Sequence, residues 1–204
     1  MKYPAFFDEV PSIRLVDPLA EFLGATDDGI MEYRYIDVVK LTGHSCPTVA
    51  SAYWMTLMAL RVLYLEKMPE RGNIRVEFNQ EHDEGVTGVI ANVVGFLTGA
   101  ADGTGFKGIA NKFDRREKLY FASGISADIR FTRLDTGGII ETTANLSHVP
   151  TSKRIMELMS KCRNAMATSE ETLEFRQLWQ DRVRSLLLTH SNDPKVFSFV
   201  AYAQ

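Results

Sequence analysis

The sequence predicts an α+β fold: a mixed, largely antiparallel sheet packed against one central buried helix, with further helices at the C-terminus. Three observations predict it. Short stretches alternate apolar and polar residues with the period of a half-buried strand, as in Met31-Tyr33-Tyr35 and Ile74-Val76-Phe78. From Pro47 to about Lys67, apolar residues (Val49, Ala52, Tyr53, Trp54, Leu57, Leu60, Leu63, Tyr64) fall on nearly every side, which a helix tolerates only inside a core. Beyond Pro150 the pattern turns helical.

Taken in order, Asp17-Pro18 followed by Leu19, Ala20, Phe22 and Leu23 and closed by Gly24 has the cap, first-turn proline and terminal glycine of a short helix. The strand through Met31, Tyr33 and Tyr35 is expected to run directly into the turn before the central helix. Met68-Pro69 and Gly72-Asn73 end that helix. The strand Ile74–Phe78 then delivers the polar cluster Gln80-Glu81-His82-Asp83-Glu84 to its end. Val86–Leu97 reads as a helix, and the glycine-rich run from Gly99 to Gly108 as a loop. Strands over 118–122, 125–131 and 138–144 are expected to form an antiparallel meander. In the second of these, Ile125, Ala127, Ile129 and Phe131 face inward. Ser152 to about Met166 is a helix. Another begins at the capping box Thr168-Ser169-Glu170-Glu171 and reaches about Leu188, with Leu173, Leu178, Trp179, Val183, Leu186 and Leu187 as its apolar face. An edge strand over 195–202 closes the chain. The whole reads as one domain over 1–204, with a core of about 30–145 and a helical elaboration of about 151–204.

The composition narrows the function. With 204 residues, 45% of them apolar, the chain has material for one sizeable core. A net charge of −3, a pI near 5.8 and the lack of a Lys/Arg run argue against nucleic acid as a partner. Met1–Val10 holds two carboxylates and a proline where an export signal needs a positive start and an apolar run, so a cytoplasmic location is expected. The apolar stretch Val49–Leu65, broken by Ser51, Thr56 and Arg61, falls short of the roughly 20 clean residues that span a bilayer, so no membrane association is expected. Two cysteines, Cys46 and Cys162, are too few for a disulfide framework.

The strongest chemical signal is Gly43-His44-Ser45-Cys46-Pro47 at the entry to the central helix. Gly43 permits a left-handed backbone, Pro47 suits the first helical position, and Cys46 is left as the N-cap. A thiol there meets the positive end of the helix dipole, which favours the thiolate that binds metals. His44 adds an imidazole two residues away, an N/S pair suited to zinc, nickel or iron.

The run Asp37-Val38-Val39-Lys40-Leu41-Thr42-Gly43-His44-Ser45-Cys46-Pro47 resembles the helix-entry motif of the family of formylmethanofuran dehydrogenase E-type subunits, in which Gly-His-x-Cys-Pro is usually followed by a glycine; Thr48 stands here. Asn92–Gly105, with Leu97-Thr98-Gly99 and then Gly103 and Gly105, is similar to that family's second region. The resemblance covers about Ile36–Phe121. It implies a mixed α+β fold, a homodimer, and zinc or a similar metal near the turn, with His44 and Cys46 as ligands. Two positions depart from the family pattern: Ala100 stands where a cysteine is common, and Asn92 where an aspartate is. The family's occasional C-terminal zinc ribbon is absent from this sequence, so remaining ligands must come from elsewhere.

His82, flanked by Glu81 and Asp83, is the first choice for a third ligand, because its strand is expected to pair beside the one that feeds His44. The alternative is a plain solvated acidic turn. His148 is a second candidate, His190 suits a helix C-terminus, and Cys162 suits packing. Gly103-Thr104-Gly105-Phe106-Lys107-Gly108 matches G-x-G-x-x-G but follows a helix rather than a strand, so a dinucleotide fingerprint is not expected. The same loop with Lys107 is instead expected to line a site for a small anionic molecule. Tyr53 and Trp54 either wall that pocket or pack in the core.

Two functions follow. One is a metal-binding protein without catalysis of its own, an accessory, carrier or sensor of metal or cofactor. The other is a metalloenzyme whose open coordination position activates water or a carbonyl, with Glu81 or Asp83 as base. The resemblance adds a role within a larger enzyme of one-carbon metabolism. A thiol-redox role for Cys46 is disfavoured, because no second cysteine stands at Cys-x-x-Cys spacing.

Overall fold

The computed structural model describes residues 2–202; Met1, Ala203 and Gln204 lie outside the described residues. The chain folds as an α+β protein with a mostly antiparallel sheet and packed helices. Strands β1 (Ile13–Val16) and β2 (Ile30–Tyr33) form an antiparallel pair in the register Ile13 to Tyr33. Between them lies the short helix α1 (Pro18–Phe22), whose N-cap Asp17 accepts hydrogen bonds from the amides of Leu19 and Ala20 at 2.9 and 3.3 Å.

Helix α2 (Tyr35–Thr42) corrects the expectation that β2 runs straight into the motif turn. Tyr33 and Tyr35 both point inward, as strand alternation requires, but Tyr35 and Val38 are both fully buried and stand three apart, which is helical spacing. Asp37 adds a carboxylate that accepts the amide of Arg34 at 2.8 Å and starts the helix. The motif therefore joins two helices.

Helix α3 (Pro47–Tyr64) is the central one. Its Val49, Ala50, Ala52, Tyr53 and Ala59 are wholly buried, and its polar residues satisfy themselves locally: Ser51 donates to the carbonyl of Pro47 and Thr56 to that of Ala52. It packs on α2, on α4 (Thr87–Thr98) and on the sheet. Tyr53 donates to the carbonyl of Pro11 at 2.8 Å, and Trp54 to that of Ser191 at 2.7 Å, so both rings serve the core.

The main sheet holds β3 (Ile74–Phe78), β4 (Leu119–Tyr120), β5 (Ile129–Arg133), β6 (Ile139–Ala144) and β7 (Phe197–Tyr202) in the spatial order β4-β3-β5-β6-β7. The expected meander over 118–144 is corrected at its first member. β4 lies parallel to β3, and β3 separates it from β5, so only β5, β6 and β7 are neighbours in antiparallel succession among the later strands. The long loop after α4 carries the chain past β3 before it pairs, which strand periodicity alone does not reveal.

Helices α5 (Lys153–Arg163) and α6 (Ser169–Arg184) pack on each other, and α6 continues into a π-helical turn, Ser185–Thr189. Ser152 and Thr168 cap them through the amides of Ile155 and Glu171, each at 3.2 Å. Val183, Leu186, Leu187, Val196 and Phe197 join the same hydrophobic core as Phe6, Trp54 and Ile74. Among the described residues no helix is long and apolar enough to cross a membrane.

Candidate functional site

The motif turn is built as a double cap. Gly43, with φ of 76°, closes α2 by donating to the carbonyl of Val39. Cys46 opens α3, and its Sγ accepts the amide of Val49 at 3.5 Å. Between them, Ser45 is held from two sides. Its hydroxyl lies 3.0 Å from that of Tyr35, and its carbonyl accepts both Nε1 of Trp179 at 3.0 Å and Nε2 of Gln180 at 3.2 Å. The C-terminal helix α6 thus clamps the motif.

His44 is exposed, and its Nδ1 lies 2.9 Å from the carbonyl of Thr42. A carbonyl only accepts, so in the neutral ring Nδ1 carries the proton and Nε2 keeps a free lone pair. The ring borders a cleft of about 450 Å³ that it shares with Leu41, Thr42, Val89, Asn92 and Phe96. Cys46 does not line that cleft. It is half-buried and packs against the hydrophobic core.

His82 also stands elsewhere. Its ring meets Phe121 edge-on at 5.0 Å and borders a second cleft, of about 420 Å³, with Arg71, Asn92, Gly99, Asp102, Thr104 and Arg115 around it. Among the described residues no three His, Cys, Asp or Glu side chains are grouped so as to hold a metal ion, so His44, Cys46 and His82 are not brought together as a ligand set. The reason is topological. The strand before His82 is β3, whose neighbours are β4 and β5, whereas the residues before His44 are helical. His148 is exposed in a 3-10 turn, and His190 pairs with Asp193 at 3.6 Å. The residues present fit no closed metal centre.

The two clefts adjoin, because Asn92 and Phe96 of α4 line both. The turn and the glycine-rich region, distant in sequence, therefore meet over one helix. Lys107, the residue foreseen to line the cleft, is exposed and does not line it, whereas Arg71 and Arg115 do.

Sequence reading does not single out those arginines. Both grip one carboxylate, Asp17, with Arg71 Nη1 at 3.0 Å from Oδ2 and Arg115 Nη2 at 2.6 Å from Oδ1. Burial would raise the carboxyl's pKa, but the two guanidiniums and the cap bonds outweigh it and hold the group below the ordinary carboxylate value. Arg71 also donates to the carbonyl of Phe96 at 2.8 Å, which ties the cluster to the end of α4. Comparison with protein-family models gives no match, and comparison with curated proteins gives none either.

Proposed function

We propose that this chain is an accessory protein without catalysis of its own, a carrier or sensor that holds a small molecule in the joined clefts over α4. The single observation that carries this reading is the shared wall: His44 of the motif turn on one side, and Arg71, His82 and Arg115 on the other, border clefts that both include Asn92 and Phe96. Concavities of a few hundred Å³ with few convergent polar groups are the usual form of small-molecule sites. Catalysis is disfavoured because Glu81 and Asp83, the foreseen bases, line neither cleft.

The resemblance of the Gly43–Pro47 turn and of Asn92–Gly105 to the formylmethanofuran dehydrogenase E-type family supports the same reading, since the two regions that carry it flank these clefts. The protein is read as cytoplasmic, in keeping with two free cysteines, and as a homodimer, for which the open edge of β7 with exposed Val200 and Tyr202 is a suitable surface. A metal is a second reading, favoured by one feature. The free Nε2 of His44 at the cleft is fit to cap zinc, nickel or iron that arrives with the bound molecule, while Cys46 supports the turn as its cap.

Amide-detected NMR during a screen of small metabolite-like compounds tests the reading. Saturable shifts at Val89, Asn92 and Phe96 are expected, and a protein indifferent there to every compound class is not a carrier of this kind. Elemental analysis of tag-free protein tests the metal. Loss of a near-stoichiometric metal in folded His44→Ala, but not in His82→Ala, is expected; no metal in the parent protein removes the second reading.

A further inference from the structure

Within the joined clefts, and resting on the reading of them as a ligand site, we infer that the Arg71–Arg115 end takes a small oxyanion, the phosphate or carboxylate group of the bound molecule. The inference begins with charge. Two guanidiniums face one carboxylate, and the side chains of Arg71, Arg115 and Asp17 are only 21%, 8% and 5% exposed. Asp17 has nothing further to give: Oδ1 takes Arg115 and the α1 amides, and Oδ2 takes Arg71. One buried positive charge is left over. Lys118 adds to it, with Nζ on the carbonyl of Gly72 at 2.5 Å.

The guanidiniums are also tightly packed. Nη1 of Arg115 and Nε of Arg71 are buried and have no partner, a costly state for a charged donor. Arg115 Nη1 reaches its position only because side chains are missing there: a Cβ on Gly72 would lie 1.7 Å from it, and one on Gly99 2.6 Å. Gly99 and Arg115 line the cleft together with the polar groups of Asn92, Thr104 and His82. Asp102 also lines it, but its Oδ1 is turned onto the amide and hydroxyl of Thr104, at 2.8 and 2.6 Å. An oxyanion seated beside the arginines supplies the missing negative charge. Burial lowers the pKa of Arg115, with Asp17 opposing and Arg71 adding to the shift, and burial and then Arg115 lower that of Lys118, so the cations here repel one another.

The test is a titration of the full chain with inorganic phosphate and, separately, with succinate, at ionic strength held constant with chloride, followed by amide shifts and thermal unfolding. Saturable shifts centred on Arg71, Gly99, Ala101 and Thr104 are expected, with a rise in Tm that chloride does not reproduce. Phosphate alone, succinate alone or both identify which oxyanion chemistry is held. Arg115→Lys keeps a cation for Asp17 but deletes the planar guanidinium fork that matches an oxyanion, and it is expected to bind about tenfold more weakly while remaining folded by circular dichroism. Equal affinity in Arg115→Lys, shifts scattered over surface lysines, or no saturable shift with either anion overturns the inference. If no oxyanion binds yet neutral compounds still shift Asn92 and Phe96, the oxyanion assignment falls and the carrier reading stands.

Discussion

At the scale of single residues, Asp17 does two jobs with one carboxylate, capping α1 and pairing with half-buried Arg71 and buried Arg115. Asp17→Asn keeps the cap acceptor and removes the charge, so it isolates the second job. Two guanidiniums without a counter-ion are expected to cost about 3–5 kcal/mol at neutral pH. The pH dependence has a definite sign. The folded carboxyl titrates below its unfolded value, so its stabilisation is present above the unfolded pKa and is lost as pH falls through the folded one. Urea unfolding of the two proteins should therefore differ most near neutrality and converge in acid; a gap that persists undiminished at low pH would show that the loss is not electrostatic. Gly43 allows a simpler comparison. Its φ is 76° and nothing lies within 4 Å of where a Cβ would be, so Gly43→Ala carries backbone strain alone, about 1–2 kcal/mol by denaturant unfolding. Sequence reading found the left-handed turn at Gly43 and the cap at Cys46 because both are local. It did not find the pairing of Arg71 with Arg115, because the carboxylate that gathers them, Asp17, is far away in the chain.

At the scale of elements, legibility follows the same rule. The capping box of α6 was readable because all its atoms lie within one turn: Thr168 Oγ1 accepts the amide of Glu171, and Glu171 Oε2 accepts that of Thr168 at 3.0 Å. Thr168→Ala should cost about 1 kcal/mol in thermal or urea unfolding, and an unchanged midpoint would mean the box does not hold α6 in place. Helix α2 was not readable. Its eight residues begin on Tyr35, which satisfies both the alternation of the strand before it and the spacing of the helix it opens. β4 is only two residues long and pairs with a strand that precedes a long loop, so its parallel partner is decided by where the loop travels. A separate misplacement bears on the ligand set, since β2 pairs with β1 and is followed by α2 rather than lying beside β3 and leading into the turn. Sheet neighbours assigned from sequence put His82 beside His44, whereas β3 delivers His82 to Phe121 and the arginine cleft.

At the scale of the whole molecule, the C-terminal segment is structural support for the motif it lies so far from in sequence. Trp179 and Gln180 hold the carbonyl of Ser45, Ser191 accepts the indole of Trp54, and β7 covers the edge of β6. Removing 151–204 strips Val183, Leu186, Leu187, Val196 and Phe197 from the core and leaves the Trp54 N–H buried without its acceptor. The fragment 2–150 is accordingly expected to lose cooperative unfolding. A subtler change separates support for the fold from support for the site. Trp179→Phe with Gln180→Ala keeps an aromatic ring beside Phe175 but removes both donors to Ser45, at a cost of about 1–2 kcal/mol. The turn carrying His44 then has the Tyr35 hydroxyl and its own caps to hold it. Hydrogen exchange should accelerate at the amides of residues 44–46, 48 and 49 while those of β5 and β6 keep their protection. Uniform acceleration across the molecule would instead mean that the clamp acts on global stability, and that the position of His44 at the cleft is set by α2 and α3 alone.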